Sequence, residues 1–265
     1  MTNKASKRPA VKSKPAKAAA VKTPRRPGRP SAEANPGQRA RLLDAAVVLF
    51  GERGIAATTL RAIAQRAKVT PALLHYYFAS KGSLIETILG ERIAPFVQVS
   101  VAPLREPLPS PRATLRRFLE THMRNIAANP WMPRLMVREV LSEGGALRDQ
   151  MQAQFAMSIA PKMLWLIVSA QRNGEIRADL NPMLVGVSLI SLAVFPFAAA
   201  PVWQEVGASL LKDLPEHVAQ AVRMQLSVAA NPLRFAASQP DDLIEHTLAL
   251  FDSMLEKPRA KSKPN

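Results

Sequence analysis

The chain contains no cysteine, which excludes disulfides, thiolate metal sites and cysteine nucleophiles and fits a reducing compartment. Histidine occurs four times, at His75, His122, His217 and His246. None stands at ligand spacing from another histidine or a carboxylate, so no metal site is expected. There is no glycine-rich phosphate loop, because GERG and SEGG read as helix ends, and no local Ser/His/Asp signature. No apolar run follows the basic N-terminus, so it does not read as a secretory signal. These absences leave no mark of an enzyme, and no cofactor is expected.

Acidic charge is scarce as well. Thirty-six Lys+Arg face 20 Asp+Glu, for a net charge of +16 and a pI ≈ 10.9. Such a balance points to a polyanionic partner. The excess is uneven. Residues 1–36 hold ten basic side chains and one acid, and residues 37–90 hold seven and three. Residues 91–255 hold fifteen of each, so the long remainder is neutral. The asymmetry predicts two jobs on one chain.

Leu180 to Gln204 carries no charge across 25 positions, and a bilayer span needs roughly 20 apolar residues. Pro182, Pro196 and Pro201 interrupt it, so a buried or subunit-contact helix is expected and no membrane partner.

What is present divides the chain into four parts. Residues 1–36, rich in Lys, Ala and Pro, cannot bury enough surface to offset ordering entropy and read as a disordered basic arm. Its end, PRRPGRP, is similar to the minor-groove-reading Arg-Gly-Arg-Pro element of AT-hooks, with Pro27 interrupting the match, which makes Arg26 and Arg29 candidate DNA contacts. Residues 37–92 show helical periodicity in short pieces. Leu42, Ala46, Leu49 and Phe50 recur at spacings of three and four, and Gly54 is placed to end that helix in the left-handed region. Thr59 caps a second helix and Thr70 a third, with Pro71 at its first position. A fourth begins near Ser80 or Ser83. Two short helices joined by a tight turn behind a supporting helix make a helix-turn-helix candidate. Residues 93–256 continue as longer helical patterns, and residues 257–265 are a basic tail. With no sustained period-two alternation, an all-α fold is expected.

The stretch TPALLHYYFASK, Thr70 to Lys81, holds both tyrosines of the chain. As a helix it gathers Leu73, Leu74 and Phe78 on one side and Pro71, Ala72, His75 and Tyr76 on the other. Small residues let a backbone approach base edges, an imidazole or a phenol hydroxyl bonds a base or phosphate, and the helix start suits a phosphate.

From Gln38 to Leu89 the chain resembles the DNA-binding domain of the TetR (tetracycline repressor) family of bacterial transcription regulators, through LLDAAVVLFGERG, TTLRAIAQRAKVT and PALLHYYFASKGSL. The resemblance implies that Thr59 binds a phosphate and that Thr70, Pro71 and Ala72 approach bases and the adjacent phosphate. His75 stands where the family often has a contacting tyrosine, Tyr77 where it often has a histidine, and Lys81 where it has a phosphate-contacting lysine. Lys68 departs from the pattern, since that turn position is commonly glycine. A lysine at positive φ costs about 1 kcal/mol, so a slightly different turn is expected there, with the side chain within reach of DNA.

The family also pairs its reading head with a helical effector-binding and dimerisation domain. Here the candidate pocket residues are His122, Trp131, Met136, Phe155, Met163 and Trp165, with Phe195, Phe197 and Trp203 approaching from elsewhere; Met and aromatic side chains suit an adaptable apolar pocket and are equally ordinary core. Pro161 should break a helix expected over residues 146–173. Leu184, Val187, Ile190, Leu243, Thr247, Leu250 and Met254 lie on two helices whose apolar exterior would be a large exposed patch on a monomer, and these are the candidate dimer interface.

The expected function is a cytoplasmic, homodimeric, sequence-specific regulator of a palindromic double-stranded operator, a repressor released by an apolar or amphipathic small-molecule effector. The competing readings are a basic architectural DNA binder without ligand control and a membrane-associated protein.

Overall fold

Residues 36–202, 205–206, 214–221 and 240–255 are described by the computed structural model of the protein. Arg26, Arg29, Trp203 and both basic ends lie outside the described residues. The fold is all-α, and the described residues contain no strand.

Helix α1, Pro36–Arg53, buries Leu42, Leu43, Ala46, Val47, Leu49 and Phe50, the stripe its periodicity predicts. It stops where Gly54 adopts φ +87, a conformation that costs glycine nothing sterically. Thr58, buried, donates its hydroxyl to the Gly54 carbonyl at 2.7 Å and closes the turn. Helix α2, Leu60–Arg66, starts at Thr59, whose Oγ1 accepts from Ala62 N–H at 3.1 Å. Helix α3, Pro71–Tyr77, starts at Thr70, whose Oγ1 accepts from Leu73 N–H at 3.3 Å.

The turn between α2 and α3 corrects one expectation. Lys68 holds φ 56, so the left-handed turn is kept with a lysine in it. Lys68 and Val69 N–H donate to Gln65 and Ala64 carbonyls at 3.1 and 3.0 Å, and those bonds offset the strain.

Helix α4, Lys81–Ile88, begins with a reciprocal capping box between Ser80 and Ser83. It does not end at the expected domain boundary. A π-helical turn, Leu89–Ile93, carries it directly into α5, Ala94–Arg105. Pro95 explains the widened turn: it has no N–H for the Glu91 carbonyl, and its ring crowds that carbonyl. The Arg92 guanidinium donates to the freed oxygen at 3.1 Å.

Beyond it come α6, Pro111–Ala128; α7, Trp131–Met136, extended by a second π turn, Val137–Leu141; and α8, Arg148–Ser158. Then follow α9, Ala160–Arg172; α10, Pro182–Ala198; and α11, Pro240–Leu255. The break expected from Pro161 falls at Ile159, between α8 and α9. Of the described residues 214–221, residues 216–221 are helical.

Two hydrophobic clusters form. The first joins α1 to α4 with Ile93, Phe96, Ile126, Met132, Leu135 and Leu147, so the head shares its core with α5, α6 and α7. Gly51 permits this: a Cβ there would sit 3.3 Å from both the Trp131 carbonyl and Arg134 Cβ. The second cluster packs α6, α9, α10 and α11. Residues 148–172, taken as one run, are long and apolar enough to cross a membrane, yet Met163, Leu166, Ile167 and Ala170 of that run are buried in the second cluster.

Candidate nucleic-acid interface

Leu74 and Phe78 anchor α3 on the head's core, and Leu73 is half-buried. The opposite side of the helix carries Pro71, Ala72 and His75, all exposed, and Tyr76, 63% exposed. Its ring stands edge-on to Tyr77 at 5.4 Å. Tyr77 behaves differently from the expected contact: its ring is half-buried and packs against the head's core. Thr59, Thr70 and Lys68 are exposed on α2, α3 and the turn between them. A capping hydroxyl uses its lone pair within the helix and keeps its proton to donate.

Between α2 and α3 lies a groove of ≈ 370 Å³ lined by Leu60, Arg61, Pro71, Leu74 and His75. Arg61 is the residue that sequence reasoning missed. It is exposed and makes no ion pair among the described residues, whereas Arg66 one turn later is bound to Glu52 at 3.1 Å. Its position at the second residue of a capped helix was the available signal. Lys81 is half-buried and donates to the Ala56 carbonyl at 3.2 Å, which steadies its ammonium while leaving donor capacity.

The rear of the head is tied by charge. Arg39 makes a bidentate pair with Glu91 at 2.5 and 2.7 Å and lies 5.6 Å from the Phe78 ring centroid. The pairing raises the Arg39 pKa and lowers that of Glu91, each chiefly through the hydrogen bond to the other. Arg92 bonds Asp44 at 2.8 Å. Both pairs join α1 to the π turn.

The surface is thus a short helix with a small-residue start, flanked by two capped helix ends, by the His75 imidazole and by Arg61, which has no ion pair among the described residues. Residues 42–88 match the family described as bacterial regulatory proteins, tetR family, and residues 111–226 match its tetracyclin repressor-like C-terminal domain. The chain belongs to the TetR family. It is a helix-turn-helix DNA-binding transcription regulator. Among its relatives, the transcriptional regulator UidR of Escherichia coli K12 is 27% identical over 167 residues, 60% of this chain and 79% of the relative. The transcriptional repressor KstR2 of Rhodococcus jostii is 47% identical over 53 residues, 20% of this chain and 26% of that one. The solved structure of the TetR family regulator PfmR from Thermus thermophilus superposes with a TM-score of 0.53 at 20% identity, covering 83% of this chain and all of that one. This last likeness shows the fold.

In the TetR-type body, the six pocket candidates do not converge. His122 and Trp131 both meet the Phe96 ring, at centroid distances of 6.0 and 6.3 Å. His122 also stacks on Phe118 at 5.7 Å, and its Nδ1 is 2.9 Å from the Ser100 hydroxyl. Burial among these rings pushes its imidazole down to about 4. Trp131 and Met136 pack on the head's core, and Met163 is buried in the second cluster. Phe155 and Trp165 are corrections, being 42% and 63% exposed on α8 and α9. Phe195 is exposed and Phe197 half-buried.

Of the dimer candidates, Leu184 and Val187 of α10 and Leu250 and Met254 of α11 are 63, 60, 37 and 48% exposed. Ile190 and Leu243 are half-buried against the second cluster. Thr247 is a correction: it is 2% exposed and faces inward beside Ile244, Leu248 and Phe251. A shallow groove of ≈ 170 Å³ between α10 and α11 is lined by Leu184, Leu192, Phe251 and Met254, among others.

Proposed function

We propose that this regulator reads a palindromic double-stranded operator as a cytoplasmic homodimer and represses until a small apolar or amphipathic effector is held in the helical body. The observation that carries the reading is the exposed start of α3, Pro71, Ala72, His75 and Tyr76, beside Arg61 and the α2 cap at Thr59. In this reading Pro71, Ala72 and His75 approach base edges and specify sequence, while Thr59, Lys68, Thr70, Tyr76 and Lys81 hold phosphates. The repressor among its relatives supports the sign of regulation. The exposed apolar faces of α10 and α11 support a twofold dimer, because a monomer would leave them in water. The effector acts by binding one head-to-head spacing better than the other.

Selection of bound fragments from random DNA tests the reading. The full chain should enrich one palindrome and keep a preference on the order of 10³-fold over unrelated duplex across a salt series. Pro71→Arg and His75→Ala should shift or weaken that preference while the dimer persists. Unchanged footprints in both variants would refute the α3 assignment. A preference near unity would instead support architectural binding dominated by the basic arm. Deleting residues 1–30 should flatten the salt dependence more than the sequence preference.

A further inference from the structure

Among the described residues, Glu139 is the one charged side chain that is buried, at 5% exposure. It makes no ion pair among them. A buried charge persists only where its oxygens are satisfied, and here main-chain N–H groups from two different segments do so. Oε1 accepts from Ile55 N–H at 2.8 Å, at the turn between α1 and α2. Oε2 accepts from Ala146 N–H at 3.1 Å, in the loop that leads into α8. The Glu139 carbonyl also accepts from Leu147 N–H at 3.1 Å.

Two glycines make room for the group. A Cβ on Gly54 would stand 3.2 Å from Oε1, and a Cβ on Gly145 would stand 2.4 Å from the Glu139 carbonyl oxygen. The carboxylate is therefore gripped by the segment that enters the reading head and by the segment that enters α8. The π turn at Val137–Leu141 carries it to that point. Helix α8 buries no residue fully; besides this grip, its start is held by the buried Leu147 just before it and by Met151, which packs on the first cluster.

The geometry points to Glu139 as a positioning residue that couples the helical body to the DNA-reading head. The carboxylate holds the turn before α2 and the loop before α8 at a fixed separation. A displacement of residues 142–147 is passed through it to Ile55, and so to the seating of α2 and α3. The inference rests on the reading of α2 and α3 as the sequence-reading unit.

Two full-length variants test it. Glu139→Gln keeps the size but offers one acceptor oxygen, leaving one N–H facing an amide NH₂. Gly145→Ala leaves the carboxylate intact and lifts the loop from the body side. Hydrogen exchange at Ile55 and Ala146 is measured, together with binding to a duplex selected by the wild-type chain and to its scrambled counterpart. In both variants exchange at Ile55 should rise about tenfold, and preference for the selected duplex should fall by about the same factor. Affinity for the scrambled duplex should stay within about twofold. Ile55 exchange unchanged in Gly145→Ala overturns the coupling, since nothing then crosses from loop to turn. A lower melting point with duplex preference intact also overturns it, because it marks a purely structural tie. If the wild-type chain selects no duplex, the operator reading fails, and Ile55 exchange in Gly145→Ala still decides the coupling.

Discussion

Lys68 occupies φ 56, where its Cβ crowds the following carbonyl at a cost of about 1 kcal/mol. Glycine removes the crowding but loses more freedom on folding. Lys68→Gly should therefore raise stability by about 0.5 kcal/mol in a urea titration. It should also lower the salt slope of DNA binding by about 1 if the ammonium meets a phosphate; an unaltered slope would mean it meets none. His122 gives a prediction of the opposite kind. Its folded-state pKa of about 4 lies below the ordinary 6.5, so between those values the unfolded chain binds more protons. Stability is then full above about pH 6.5 and falls as pH drops towards 4, by on the order of 3 kcal/mol across the window. The urea midpoint of the wild type should drop between pH 7 and pH 5, and that of His122→Gln should drop less. Equal drops would show that other groups carry the pH dependence.

The helices of the head are each defined by their own ends. Thr70 caps α3, and its loss should cost about 1 kcal/mol. Thr70→Ala should therefore lower the melting point modestly, and lower DNA affinity by more than that loss explains if the same hydroxyl donates to a phosphate. Thr70→Ser, which keeps the hydroxyl, should restore both. Equal losses of affinity and stability would reduce Thr70 to a cap. These elements were legible in the sequence because Thr59, Thr70, Ser80 and Gly54 act within four residues of themselves. The continuity of α4 through the π turn was less legible. Pro95 reads as a breaker, and only the Arg92 bonds to Glu91 and Asp44 show how the helix absorbs it.

For the whole molecule, the proposed dimer rests on the exposed apolar residues of α10 and α11. Leu184→Arg together with Leu250→Arg places charge on the exposed face of each helix and should yield folded monomers by sedimentation, with operator affinity reduced about a hundredfold or more as the second half-site is lost. A persistent dimer would put the interface elsewhere. The charge gradient along the chain suggested a division between reading head and neutral body. It did not show that both share the first cluster through Ile93, Phe96, Ile126 and Leu147. A cluster of that kind draws on apolar residues from helices far apart in the chain, and periodicity within one helix carries no record of its partners.

Composition, caps and helical spacing were sufficient for an all-α chain, a basic head and an exposed Pro71–His75 face, because each rests on forces acting over one or two turns. Tertiary structure alone decided that Thr247 faces the core while Leu250 does not, that Phe155 and Trp165 stand in solvent, and that Arg61 joins His75 in one groove. It alone set Glu139 against Ile55, 84 positions away. Such pairings depend on which helices cross and at what depth. That is fixed by packing volumes, such as the missing side chains of Gly51 and Gly145, which act only once the chain has folded around them.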